Sequence, residues 1–236
     1  MQSFETKIFK THSLSSHWSS ANGFYAQLYK EVPEQTSPQQ AREESGGEEQ
    51  EVLDKVASRV AAERIDVTSR LVYTPDLSET LDNYAEDNQS QAILTPAPIE
   101  SLERLLVPIY HSDQVNLRLT TILRDLALSS GLPVTLLVLE SREPESEQET
   151  ELEALQRLAI QQLLRTGLSQ DQIRSNRVGV ADLADAIEQV ADEKDLVILS
   201  ESEPDARQKL FTTLLGEIRE SIPCSTLVIL RKTRED

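Results

Sequence analysis

The segment Asn176–Ser200 reads NRVGVADLADAIEQVADEKDLVILS and combines a short apolar strand, an amphipathic helix and a second apolar strand. Asp182 stands at the start of the helix, where a carboxylate can accept hydrogen bonds from the first free backbone amides. Strands that alternate with helices of about 10–15 residues are typical of a parallel sheet with right-handed crossovers. This segment therefore predicts an α/β fold.

A similar pattern occurs earlier in the chain, in Arg70–Thr95, which reads RLVYTPDLSETLDNYAEDNQSQAILT. With an offset of 106 residues Asp76 aligns with Asp182, and the apolar positions of the helix follow, with Leu77, Leu81 and Ala85 aligned to Leu183, Ile187 and Ala191. After one deleted residue, Ile93 and Leu94 align with Ile198 and Leu199. The correspondence predicts an internal repeat.

The later copy of the repeat is complete. Before the quoted segment, apolar runs and helical periodicity predict an opening strand at Leu105–Tyr110, a helix at Asp113–Ser130 that ends at Gly131, and a second strand at Val134–Leu139. After the segment they predict a last helix at about Asp205–Ser221 and a closing strand at Ser225–Arg231. Together with the two strands of the segment itself, these elements predict a parallel five-stranded sheet with helices on both faces.

The earlier copy is incomplete. Its one further candidate strand is Glu5–Thr11, which we expect to correspond to Val134–Leu139, and a polar stretch at 33–50 predicts a flexible loop. We therefore expect an incomplete half over residues 1–98 and a complete domain over 102–232. The incomplete half either packs onto the complete one as a continuous unit or lacks sequence upstream.

Composition excludes several classes of partner. The chain has 236 residues with 41 acidic and 23 basic side chains, a formal charge of −18. Nucleic acids and anionic membrane surfaces are poor partners, because such binding needs clustered Lys and Arg. No apolar run approaches the roughly 18–20 residues that span a bilayer, so we expect no membrane insertion by this chain. With Cys224 as the single cysteine, we expect no disulfide, a buried thiol and a cytoplasmic protein.

From Leu102 to Lys232 the sequence resembles the universal stress protein family. The resemblance lies in the order and spacing of RLLVPI at the first strand, LALSSGLPVTLLVLE through the second, VGVADLADAIEQVADEKDLVILS through the fourth and IPCSTLVILR at the end. It implies an adenine nucleotide alpha hydrolase-like fold. Because Asp76–Thr95 repeats the third of these pieces, the chain looks like a degenerate tandem universal stress protein.

ATP-binding members of that family have an Asp after the first strand and a loop of pattern G-x2-G-x9-G-(S/T) after the fourth. Glycines in such a loop let backbone amides approach phosphate oxygens. Here Tyr110 stands in place of the Asp, and the loop counterparts are Ser200, Thr212 and Thr213. No glycine occurs from residue 180 through residue 215, and the acidic residues Glu201, Glu203 and Asp205 would repel a triphosphate. The departures imply that ATP is not bound in the family's manner, and we expect no cofactor.

The histidines and neighbouring hydroxyls predict neither a metal site nor a catalytic triad. His12 and His17 are spaced poorly for one helix face, and we expect them to be polar residues around an aromatic cluster that includes Trp18. His111 is followed directly by Ser112 and Asp113, and three consecutive residues cannot point at one another. We therefore expect a protein that is not an enzyme.

The closing strand has apolar side chains on both faces, as is typical of a sheet covered on both sides. The family resemblance implies a homodimer through this strand, formed by Thr226, Leu227, Val228, Ile229 and Leu230. The outer backbone groups need partners, and these are either the same strand of a second subunit or a strand of the earlier copy. The sequence leaves both alternatives open.

Three functions agree with these features. The first is a non-catalytic regulatory or interaction protein that does not bind ATP. The second is the cytosolic regulatory tail of a membrane transporter, a setting in which domains of the resembled family occur. The third is a nucleotide-binding stress protein with an atypical loop.

Overall fold

The computed structural model describes residues 5–11, 24–31, 67–87, 90–95, 101–140, 146–179, 183–201 and 224–230, together with individual helical positions between 40 and 58. The strands are, in chain order, β1 (Glu5–Thr11), β2 (Phe24–Glu31), β3 (Val67–Thr74), β4 (Ser90–Thr95), β5 (Arg104–Ile109), β6 (Val134–Glu140), β7 (Ile173–Gly179), β8 (Asp195–Ser200) and β9 (Ser225–Ile229). The helices are α1 (Leu77–Asp87), α2 (Leu117–Ser130), α3 (Ser146–Arg165) and α4 (Leu183–Val190), with 3-10 turns at Ser112–Gln114 and Gln170–Gln172.

Strands β5 to β9 form the predicted five-stranded parallel sheet, in the order β9-β8-β5-β6-β7. Helices α2 and α3 cover one face, where Leu123 and Leu163 are among the buried residues, and α4 covers the other face with Ile187. Every residue of β8 is buried, as expected for a strand with helices on both sides. The predicted α/β fold is confirmed in this half of the chain.

The sheet continues beyond β9 into the earlier half. Its full order is β3-β2-β1-β4-β9-β8-β5-β6-β7. Strand β4 pairs antiparallel with β9, β1 pairs antiparallel with both β4 and β2, and β3 pairs parallel with β2. The sheet is therefore mixed and nine-stranded rather than a purely parallel sheet of five strands, and the two halves share it.

The closing strand is an interior strand. β9 pairs with β8 on one side and with β4 on the other, where Ile93 lies opposite Val228 and Leu94 opposite Leu227. Of the two alternatives that the sequence leaves open, the structure contains the pairing within the chain. The residues that we expect at a dimer edge, Thr226 to Ile229 and the adjoining Leu230, do not form a free edge, because both sides of β9 are hydrogen-bonded to neighbouring strands.

The position of β1 differs from our expectation. It occupies the place in the earlier half that β5 occupies in the later one, and not that of Val134–Leu139, while β2 occupies the place of β6. The connection 12–23 has fewer residues than α2, which has 14. β1 runs antiparallel to β2, whereas β5 and β6 are parallel, so the strand order matches between the halves but this pairing does not.

The region 33–50, predicted to be a loop, is helical at each of its described positions, Gln40, Gly47 and Gln50. The Gln50 side chain donates a hydrogen bond from Nε2 to Asp54 Oδ1 at 2.9 Å, one helical turn later. Because β2 and β3 are parallel, the chain between them has to cross over the sheet, and a helix is the usual crossover. The remaining residues of the predicted loop lie outside the described ones.

The repeated segments form equivalent elements. Helices α1 and α4 begin at Leu77 and Leu183, positions related by the sequence offset. Leu81 and Ile187, which the offset aligns, are fully buried in the same core cluster. The predicted cap of α1 is confirmed, since the Glu79 backbone amide donates to Asp76 Oδ1 at 2.9 Å. Asp182 and the predicted last helix near 205–221 lie outside the described residues.

The predicted helix Asp113–Ser130 is divided into a 3-10 turn and α2. Asn116 separates them, because its Oδ1 accepts a hydrogen bond from the Leu119 backbone amide at 2.9 Å and so starts a new helix. The predicted end is confirmed: Gly131 has a left-handed backbone conformation with φ of 72°, and its amide donates to the Ala127 carbonyl.

Candidate functional site

The carboxyl ends of β5 and β8 are adjacent at the centre of the later half. In the sheet β5 lies between β6, which follows it in the chain, and β8. The connection from β5 to β6 and the connection from β7 to β8 therefore run on opposite faces of the sheet. This topological switch point is where α/β sheets generally bind ligands. Tyr110 follows β5 and Ser200 ends β8, so two of the predicted pocket residues lie at this edge.

The Gln114 side chain bridges the two strand ends. Its Oε1 accepts hydrogen bonds from the backbone amides of Tyr110 at 2.8 Å and His111 at 3.0 Å. Its Nε2 donates to the Ser200 carbonyl at 3.4 Å. The residue is only 1% exposed, so it fills the space between the strands. Gln114 thus satisfies backbone groups at the ends of both strands.

A short turn places Gln114 in this position. His111 precedes the 3-10 turn, and its Nδ1 accepts a hydrogen bond from the Asp113 amide at 3.3 Å. The Gln114 side chain in turn accepts a hydrogen bond from the His111 backbone amide, so the two residues form a reciprocal capping box. Sequence analysis missed Gln114. The available signal was a polar residue followed three positions later by Gln, directly after a buried strand.

Glu201 is a buried acidic residue at the same edge. The residue is 3% exposed, and its backbone amide donates to the Ile229 carbonyl at 3.0 Å. Arg118, in the first turn of α2, is attracted to it: burial lowers the pKa of Arg118, and the Glu201 carboxylate acts in the opposite direction. A guanidinium stays charged in proteins, so this edge carries both signs of charge.

The predicted pocket residues differ in accessibility. Tyr110 is 38% exposed at the mouth of the crevice, whereas Ser200 is buried and its carbonyl is engaged by Gln114. Thr212 and Thr213 lie outside the described residues, and the other two predicted pocket residues both lie at this edge. The acidic residues Glu203 and Asp205 also lie outside them.

The residues that could bind a metal or act as a nucleophile have surroundings that are typical of structural residues. In the described part of the chain, no group of three or more His, Cys, Asp or Glu side chains could hold a metal ion. Cys224 is buried, as predicted, and burial together with the nearby carboxylate of Asp195 raises the pKa of its thiol to about 12. The thiol is therefore protonated at neutral pH and is a poor nucleophile. His12 and His17 lie outside the described residues.

No protein-family model matches the chain, and no curated protein matches it. Several solved structures do match the chain. A putative universal stress protein from Pseudomonas aeruginosa UCBPP-PA14 aligns at 10% identity and a TM-score of 0.48, over 86% of this chain and 92% of that one. A universal stress protein from Archaeoglobus fulgidus DSM 4304 aligns at 11% identity and 0.47, over 85% and 82%.

A further solved structure, a universal stress protein in complex with cAMP, aligns at 14% identity and a TM-score of 0.40, over 57% of this chain and all of that one. These likenesses concern the fold alone. As for the membrane, none of the helices among the described residues has the length and hydrophobicity needed to cross a bilayer.

Proposed function

We propose that the chain is a non-catalytic regulatory or interaction protein, built from two universal stress protein-like halves, that acts in the cytoplasm without bound ATP. The observation that carries this proposal is the position of Gln114. Its side chain fills the crevice at the switch point and engages the amides of Tyr110 and His111. A base or phosphate entering there would have to displace it.

Electrostatics at the crevice support the same proposal. Glu201 is buried directly after β8, and a carboxylate at this position adds no attraction for an incoming triphosphate. The sequence after it has no glycine until Gly216, so its backbone is less suited to wrap phosphate oxygens closely. Both features weaken binding of a nucleotide in the manner of the resembled family.

The single cysteine supports the cytoplasmic part of the proposal. Cys224 directly precedes β9 and is buried in the core, and the sequence has no second cysteine to form a disulfide. Proteins of oxidising compartments commonly use disulfides, whereas a lone protonated thiol suits a reducing compartment.

Calorimetric titration of the whole chain with Mg-ATP tests the proposal. We expect no saturable heat of binding, and a dissociation constant in the low micromolar range would overturn the proposal. Titration with adenosine is the matched control, because it has the base and the sugar of ATP but lacks the phosphates. Failure of both ligands to bind supports closure by Gln114, whereas adenosine binding would show that the crevice is open to a base.

A further inference from the structure

Strand β7 forms one end of the nine-stranded sheet. Among the described residues it pairs with β6 alone, along its whole length from Ile173 to Gly179. In a strand that is paired on one side only, about half of the backbone amides and carbonyls face away from the neighbour. Such groups can hydrogen-bond to one further strand, and many domains bind extended peptides in this way.

The two faces of β7 differ in their surroundings. On one face, here called the α3 face, Ile173 is buried in the core, and Gln156 of α3 donates from Nε2 to Ser175 Oγ at 2.9 Å. On the opposite face Arg174 and Asn176 are exposed. A strand added beyond β7 would continue both surfaces. Its side chains should therefore be apolar on the α3 face and polar on the opposite face.

The exposed face of β7 carries a positive charge, although the protein has a formal charge of −18. The side chain of Arg174 has no ion pair or hydrogen bond within the described part of the chain. Arg177, on the α3 face, donates from Nε to Gln156 Oε1 at 3.2 Å, and its Nη2 lies 3.8 Å from Glu153 Oε1. Of the two arginines, Arg174 is thus the one that is available to a carboxylate from another molecule.

We propose that the β7 edge binds an extended acidic segment of another protein as an additional strand. In that segment apolar side chains lie on the α3 face, and the alternate, acidic side chains lie beside Arg174. The inference deepens the proposed function, on which it rests, because it names the chemistry of the partner that an interaction protein of this shape would bind.

A second copy of this chain is a poor occupant of the same edge. Pairing of β7 with itself across a two-fold axis would bring the arginines of both copies close together. The strand at the other end of the sheet, β3, carries the exposed Arg70, so pairing of β3 with β7 of another copy would also bring like charges together. The arginines therefore oppose edge-to-edge assembly, and Arg174 favours a partner of opposite charge.

The test is binding of a synthetic peptide of alternating Val and Glu, blocked at both ends and long enough to pair with all of β7. Fluorescence anisotropy of the labelled peptide measures its affinity for the whole chain, and hydrogen exchange followed by mass spectrometry locates the site. We expect saturable binding, with slower exchange in Ile173–Gly179 and no change in Val67–Thr74 at the other edge. Absence of binding, or protection of β3 in place of β7, would overturn the proposal.

Arg174→Glu tests the contribution of charge. Because the change replaces a cross-strand attraction by a repulsion, it should weaken peptide binding by roughly 3- to 10-fold. The matched control is Arg165→Glu, which makes the same change of charge at an exposed position at the end of α3 and should leave the affinity unchanged. Equal weakening in both variants would contradict a site at β7. If Arg174→Glu does not fold, Arg174→Gln should weaken binding by roughly 2- to 3-fold.

A second peptide separates backbone pairing from charge. The same sequence with a methyl group on every backbone amide keeps all of its carboxylates but cannot donate hydrogen bonds to β7, so we expect no saturable binding. Binding of this peptide as tight as that of the unmethylated one would overturn the added strand. ATP binding by the wild type would instead contradict the proposed function, while leaving the peptide results as they stand.

Discussion

Arg104 and Asp195, at the amino ends of β5 and β8, form an ion pair whose carboxylate is buried and whose guanidinium is partly exposed. Arg104 donates from Nε to Asp195 Oδ1 at 2.8 Å and from Nη2 to both Asp195 Oδ2 and the Val190 carbonyl. The Asp192 amide also donates to Asp195 Oδ2, at 2.8 Å. Asp195 is 2% exposed. Among the described residues these contacts satisfy its carboxylate, and they join two strands and the end of α4.

Replacement of Arg104 by Ala should lower the free energy of unfolding by about 3–5 kcal/mol, because it leaves a buried carboxylate without its cation. Urea unfolding measures the change. Lys194→Ala is the matched control: Lys194 makes an ion pair with Glu103 at 2.7 Å, but both side chains are exposed, so its removal should leave the stability almost unchanged. Equal losses in the two variants would contradict this account.

Removal of the Thr135 hydroxyl should stabilise the protein, whereas removal of the Arg104 side chain should destabilise it. Thr135 is 1% exposed on β6, and its hydroxyl has no hydrogen-bond partner among the described residues. Thr135→Val should raise the free energy of unfolding by about 1 kcal/mol, because a buried unsatisfied hydroxyl is costly. The control is Thr120→Val. It removes a hydroxyl that donates to the Asn116 and Leu117 carbonyls, so we expect no gain in the free energy of unfolding. A loss of stability in Thr135→Val would disprove the prediction.

The thiol of Cys224 predicts a dependence of stability on pH. Its pKa is raised from 9.0 to about 12, mainly by burial. The unfolded chain therefore releases this proton first, so the contribution to stability is fully present below pH 9 and is lost as the pH rises towards 12. Between pH 8 and pH 10 the loss should be about 1.4 kcal/mol in the wild type and absent in Cys224→Ala. Urea unfolding at both pH values, compared between the two proteins, measures it.

Among the elements, β9 has the most consequential position, because it closes both halves of the sheet. In the later half it is the fifth parallel strand, and in the earlier half it takes the place of a missing closing strand beside β4. Without the earlier half, the side of β9 that pairs with β4 would be an unprotected apolar edge, which is a template for another strand.

A fragment of residues 102–232 should therefore self-associate through β9, whereas the whole chain should be monomeric at tens of micromolar. Light scattering of both proteins tests this. A dimer of the whole chain together with a monomeric fragment would contradict the assignment. Val228→Pro in the fragment removes one amide donor from the strand and should weaken the association.

The local elements were predictable from the sequence, and their long-range partners were not. Asp76 and Gly131 act through neighbouring residues, so the cap and the end of a helix follow from sequence alone. β2, which reads FYAQLYKE, was missed because its aromatic residues also suit a loop cluster, and its place depends on pairing with distant strands. At the site, Tyr110 and Ser200 were predicted, but Gln114 was missed because its function depends on β8, far away in the chain.

On the scale of the whole molecule, the two halves use one sheet and share a core. The cluster on the face of α1 and α4 contains Leu81 and Ile93 from the earlier half together with Ile187, Leu199 and Val228 from the later one. Apolar surface from both halves is thus removed from water in the same place, which couples their stability. We expect the chain to unfold in one cooperative transition.

The shared closing strand also affects how the protein is made. On the ribosome, β1 to β4 appear long before β9, so the β4 edge of the earlier half stays open until β9 has been synthesised. Contacts between residues so far apart in sequence form slowly, and an unpaired strand edge is prone to aggregation in the meantime. We therefore expect the protein to be more prone to aggregation during its synthesis than after folding.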